Sequence, residues 1–204
     1  MESYLIDLIN RMSKKEREVN SADSVSWKAH REAEALDDKR FITQLIDYLP
    51  FEKDKTHRGS AYFVLGKLLA KFTDNNAIQF FINRLQIETD KYILSRMLDR
   101  LAKIDKDKSI DITPILHCTE NDKWLIRHSA ISALEKTRHE AAKEKVRTIV
   151  QLDDHKKNKN EIIYAVAVLG MIGEKEDIAL LKPLFSSRIR DIKDSAQFAA
   201  ETLG

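Results

Sequence analysis

His139-Glu140 is the one place in this chain where a histidine is followed directly by a glutamate, the kind of pair that can ligate a metal ion. One pair offers two ligands where a site needs three or four. His30 and Glu34, four residues apart on one helix face, would add only two more, and a surface ion pair is their expected role. His117 and Cys118 bring a base next to a thiol. Neighbours on a helix point about 100° apart, however, so these two cannot hydrogen-bond as a catalytic dyad. No catalytic residue, metal site or cofactor is expected from these sets, and the chain reads as a non-enzyme.

The charged residues point the same way. Arg58, Arg127 and Lys193 recur at equivalent places along the chain, as a ladder for phosphates would, but a cation repeated at one position also suits a structural bridge to a nearby acid such as Asp54, Asp122 or Asp191. The structural role is the expectation. Basic clusters at 136–147 and 155–159 are interleaved with Glu140, Glu144, Asp153 and Asp154 and fit solvated faces. With 35 basic and 33 acidic side chains the net charge is +2, so no global field draws the protein to nucleic acid or an anionic membrane. Trp27 and Trp124, near the starts of helices, fit core or seam packing.

The elements that would position these residues are helices. A chain 43% hydrophobic and 33% charged, with 5 Gly and 3 Pro, has a core-forming but turn-poor composition. Ile42, Leu45, Ile46 and Leu49 form one helical stripe, as do Ile78, Phe81, Ile82 and Leu85. No Asn-Gly or Asp-Gly hairpin turn occurs, and no sheet is expected. The single Cys118 excludes an internal disulfide, the N-terminus lacks the pattern of an export signal, and the longest apolar run, 165–169, is far too short to cross a bilayer. A soluble cytoplasmic protein is the expectation.

The helices repeat. Arg58-Gly-Ser-Ala61-x3-Leu65-Gly66 returns as Arg127-His-Ser-Ala130-x3-Leu134, as Ala165-x3-Leu169-Gly170, and as Lys193-x-x-Ala196-x3-Ala200. The core alanines stand 69, 35 and 31 residues apart, and Met97 and Leu101 fill the long gap, which gives a period near 34. A small residue in each first helix lets the next helix approach closely. Each unit then needs a second helix, expected at 41–49, 78–85, 112–116, 142–150 and 178–185, with Asp, Asn or Thr as caps before it. Pro114 fits a first turn, whereas Pro183 should kink its helix. The expected architecture is one all-α domain, 1–204: a right-handed α-solenoid of about five stacked hairpins (24–50, 54–88, 90–119, 122–152 and 160–187). An N-terminal helix in 1–19 and a capping half-repeat at 189–204 complete it.

Asp122-Lys-Trp-Leu-Ile126-Arg127-His-Ser-Ala130-Ile-Ser-Ala-Leu134 and Asp191-Ile192-Lys193-Asp-Ser-Ala196 resemble the Val-Arg-x-x-Ala-x-x-Ala-Leu-Gly signature of HEAT-like repeats. The short variety typified by phycocyanobilin lyases is the most similar. The resemblance covers about 24–204 and implies a fold more than an activity. The unit at 92–104 departs from it, with Leu94 and Met97 for Arg and Ala, and Gly is missing after Leu101 and Leu134. Deoxyhypusine hydroxylase, a HEAT-like enzyme, carries repeated His-Glu pairs that are not present here. Bilin lyases and alkylpurine DNA glycosylases show that such folds can also be enzymes or nucleic-acid binders, which is the alternative reading.

The resemblance implies a concave surface that holds a partner, and a protein or peptide is the expected one. Phasing the second helices on Leu45, Phe81, Ile115 and Ile149 leaves Gln44, Tyr48, Phe80, Arg84, His117, Lys143, Arg147 and Lys182 off the buried stripe. These are the candidate partner-binding residues. Tyr48, Phe80 and Arg84 have the aromatic and arginine composition of an interface hot spot.

Overall fold

The computed structural model of the chain describes residues 1–16 and 20–204. Helices α1 (Ser3–Met12) and α2 (Val25–Ala35) are followed by α3 (Arg40–Tyr48) and the long α4 (Lys55–Lys71). Next come α5 (Asn75–Asn83), α6 (Lys91–Leu101), α7 (Thr113–Cys118) and α8 (Trp124–Ser132). The chain finishes with α9 (Glu140–Val150), α10 (Lys159–Ile172), the short α11 (Ile178–Leu181) and α12 (Arg190–Leu203). The N-terminal helix is shorter than the 1–19 expected, and residues 17–19 lie outside the described part. Among the described residues there is no strand, only one isolated parallel bridge between Lys106 and Thr137.

The helices form two layers of an α-solenoid. The first helices α2, α4, α6, α8, α10 and α12 pack side by side in chain order, and the second helices lie behind them, each against the first helices of its own or the next unit. α1 covers the start of the stack by packing on both α2 and α4. The small residues do what their spacing predicts: Ala29, Ala33, Ala61, Ala130, Ala165 and Ala196 are all fully buried between neighbouring helices. Gly66 shows how close the approach is, because a Cβ there would stand 2.7 Å from Cβ and Cγ of Arg100.

Local signals set the helix ends. The carboxylates of Asp54, Asp74 and Asp90 accept hydrogen bonds from the first free backbone N–H groups of α4, α5 and α6, and each such cap stabilises by about 1 kcal/mol. Pro114 occupies the first turn of α7. Pro183 does more than kink its helix: α11 ends after four residues and continues as a 3-10 stretch over Lys182–Ser186. α8 stops at Ser132, and the chain turns with Lys136 at φ 51°. That turn brings the Lys106 backbone N–H to the Lys136 carbonyl at 2.8 Å and closes the isolated bridge.

Ion pairs tie first helices to acids about 30 residues further along the chain. Arg58 donates Nε and Nη2 to Glu88 at 3.0 and 3.2 Å and Nη1 to the Lys53 carbonyl at 2.7 Å. Arg127 repeats the arrangement on Glu161, at 3.0 and 2.6 Å, with Nη1 on the carbonyls of Asn121 and Asp122. Burial works to raise the Glu88 and Glu161 carboxyls, but the guanidinium and backbone N–H bonds outweigh it and hold both below the usual carboxylate range. Arg58 and Arg127 are thus structural, as expected. Their partners are acids about one repeat further on, not the neighbouring Asp54 and Asp122.

Candidate binding surfaces

The eight residues singled out on the second helices are largely engaged with the protein itself. Gln44 donates to the Glu2 carboxylate at 2.9 Å and accepts from the Glu2 backbone at 2.7 Å. The Tyr48 hydroxyl donates to Glu52. Phe80 is half-buried against the core, and Arg84 donates from Nε to the Tyr62 hydroxyl at 2.9 Å. Lys143 pairs with Glu174, while Arg147 reaches Asp177 at 2.7 Å, Glu144 at 2.6 Å and Glu140 at 2.8 Å. His117 and Lys182 are exposed. Lys143 and Arg147 meet on Glu140; no hydrogen bond or ion pair joins any other two of the eight.

A different surface carries the unengaged charge. A groove of about 510 Å³ opens on the first-helix face between α1, α2, α4 and α6, floored by Ile93 and Met97 and walled by Tyr62 and Phe63. Its rim holds Lys14, Lys15, His30, Lys55, Arg96 and Arg100, and no carboxylate is among its described lining residues. Lys55 has a loose contact with Asp90 at 3.5 Å; Lys14, Lys15, Arg96 and Arg100 make no ion pair with any described residue. The Arg100 guanidinium lies 4.8 Å above the Phe63 ring, a position that depends on the missing side chain of Gly66. His30 meets the same ring edge-on at 5.1 Å. Its Nδ1 stands 2.7 Å from the Ser26 carbonyl oxygen, which assigns the proton to Nδ1. A concave site lined by cations without carboxylates favours an anionic ligand, and the aromatic wall adds stacking or apolar contact.

The same face continues past the groove as a row of aromatics, two of which, Trp27 and Trp124, are expected from the sequence in core or seam packing. Every first helix carries one: Trp27, Phe63, Tyr92, Trp124, Tyr164 and Phe198. Trp27 and Trp124 are 45% and 61% exposed, so neither is a core or seam residue, and Phe198 is 72% exposed. The rings of Trp124 and Tyr164 flank His128 with centroids at 5.3 and 5.0 Å. Burial pushes the His128 imidazole below the ordinary histidine value against the opposing pull of Glu161, whose Oε1 lies 3.4 Å from its Nε2. A periodicity search for outward-facing aromatics, one per 34-residue unit, would have found this row.

The remaining chemistry is muted. A second hollow, about 810 Å³, lies along the loops after α6 and α8, lined by Lys108, Lys136, Arg138 and Lys143 together with Asp105, Glu135 and Glu140, so acids offset all but one of its cations. Burial pushes the Cys118 thiol up to about 11, which keeps it protonated and unreactive. His30 and Glu34 are not an ion pair; Glu34 binds Lys67 at 2.8 Å and Arg31 at 2.7 Å. No group of three or more His, Cys, Asp or Glu among the described residues is placed to hold a metal ion. No helix among them is long and apolar enough to cross a membrane.

Comparison with known proteins fits this architecture. A designed armadillo repeat protein superposes with a TM-score of 0.52 at 13% identity, covering 98% of this chain and 100% of the other. At that identity the likeness shows the helical-repeat solenoid alone. No protein-family model matches the chain, and no curated protein does.

Proposed function

We propose that this chain is a non-enzymatic protein-binding scaffold that holds an acidic segment of a partner protein in the groove between α1, α2, α4 and α6. The observation that carries this reading is the groove's lining, which among the described residues has six basic side chains and no carboxylate around an aromatic wall. Armadillo-type solenoids are typical binding scaffolds, which supports the class of function. We read the repeats as the short HEAT-like variety on the Arg127 and Ala130 signature, and the chain as one domain with the unit boundaries given above. A reducing compartment such as the cytoplasm suits its lone buried thiol.

The test is fluorescence anisotropy with a labelled Asp/Glu-rich peptide. Binding should be salt-sensitive and lost in Arg96→Glu with Arg100→Glu, while circular dichroism stays unchanged. The second-helix surface is tested in the same assay by Tyr48→Ala with Arg84→Ala, which should bind as wild type. If the peptide fails to bind at low salt, or binds the Arg96/Arg100 variant equally well, the groove is not the site.

A further inference from the structure

The first-helix face has two halves of different character, and we propose that it reads a single linear protein segment with a matching division: a run of carboxylates followed, in one direction, by a run of aromatic or aliphatic residues. The acidic half rests on the groove reading above; the apolar half does not. Over α1–α6 the face presents Lys14, Lys15, Arg96 and Arg100, which make no ion pair with any described residue. Over α8–α12 it presents Trp124, Tyr164, Met171 and Phe198, exposed by 61%, 41%, 64% and 72%. On α10 the residues Tyr164, Ala167 and Met171 share one outward stripe, with Gly170 turned aside against Ala199 of α12. The cation of α8 that might have extended the charge, Arg127, is held by Glu161.

This division selects among polyanions. A nucleic-acid strand long enough to follow the row of aromatics would leave the unpaired groove cations after α6, because Lys159 on α10 and Arg190 on α12 are already held by Asp191 and Asp194. A peptide whose charge ends where the groove ends meets no such penalty. Helix axes packed about 8–10 Å apart put α2 and α12 about 40–50 Å from end to end, which an extended segment of about 15 residues spans. The apolar patch on its own would not name an occupant. Its continuity with a cationic groove does, because one chain can satisfy both only with its charge at one end.

The experiment uses fluorescein-labelled peptides of about 15 residues. One carries an Asp/Glu block then a Leu/Phe block, one the blocks in reverse order, one the same composition interspersed, and one the acidic block alone. Anisotropy is read with the wild type, with Arg96→Glu/Arg100→Glu and with Trp124→Ala/Tyr164→Ala, each checked by thermal melting. If the aromatic pair destabilises the fold, Met171→Ala with Phe198→Ala, at more exposed positions, replaces it. One block order should bind at least about tenfold tighter than the acidic block alone. That increment should vanish in the aromatic variant, whose affinity for the acidic block alone stays unchanged. The proposal is overturned if neither order gains over the acidic block, if the interspersed peptide gains as much, or if the aromatic variant keeps the gain. Equal competition by oligo(U) for the wild type would likewise overturn it, in favour of single-stranded nucleic acid. Loss of acidic-block binding alone would overturn the groove reading, which the gain from the apolar block tests separately.

Discussion

Arg147 on the second helices and Arg96 on the first are both arginines on amphipathic helices, yet Arg147 donates to three carboxylates and Arg96 to none. The difference runs through both layers. Charges on the second-helix side and along the seams join one unit to the next, as in Arg147–Asp177, Lys143–Glu174 and Arg127–Glu161. Charges around the first-helix groove face water. A repeat protein can therefore be nearly neutral overall and still present a sharply cationic site, because the cancelling acids are bound up elsewhere in the stack.

The largest expected effect comes from breaking an ion pair. Arg58→Ala leaves Glu88, whose side chain is 1% exposed, without its cation and should cost about 3 kcal/mol in urea denaturation, with acidic-peptide binding retained by the folded protein. The native Glu88 carboxyl sits below its ordinary value of 4.5, so this contribution is present above that pH and fades as acid protonates the group; the gap between wild type and variant should close in acid.

Next comes Lys106, which is buried with its ammonium donating to the carbonyls of Leu101 and Ile104 at 2.7 Å. Burial lowers its pKa to about 7, against opposing pulls from Asp105 and Glu135 and a reinforcing one from Lys136. Between that value and 10.5 the unfolded chain binds the extra proton, so stability rises with pH across the window. Lys106→Met should remove about 2 kcal/mol of that rise between about pH 7 and 9, read as the difference between the two stability profiles.

Gly66→Ala touches the groove instead. Its new methyl collides with Cβ and Cγ of Arg100, which should cost about 1–2 kcal/mol and weaken acidic-peptide binding, whereas Arg58→Ala should not weaken it. The smallest effect, about 1 kcal/mol, is expected for Asp74→Ala, which removes the cap of α5 and leaves both surfaces intact.

Sequence showed the stack well and its surfaces poorly, for one reason. Alanine at Ala61, Ala130, Ala165 and Ala196 and aspartate at Asp74 act within a few residues of themselves, so spacing displays their role. Glu88 and Glu161 act on a cation some 30 residues back, and nothing local to Arg58 or Arg127 names them. The same distance hid the fate of Lys143 and Arg147, which look free on a helical wheel and are held by the following unit. Trp27 and Trp124 were misplaced because large aromatics usually bury; here the outward face of every first helix carries one. Pro183 was legible as a disturbance but not as the end of a helix, since four residues of α11 were too few to carry it through.

One joint in the stack differs from its neighbours. Leu94 stands on α6 where α4 and α8 have arginines, so the third and fourth hairpins meet through apolar packing, a Ser95–Ser129 hydrogen bond of 2.8 Å, a peripheral Lys103–Glu135 contact and the backbone bridge between Lys106 and Thr137. The charge that binds such seams elsewhere is replaced here by a neutral serine pair and main-chain bonds. That joint falls between the cationic and aromatic halves of the first-helix face, so a segment bound to both halves adds its own cross-link to a joint that no seam arginine spans.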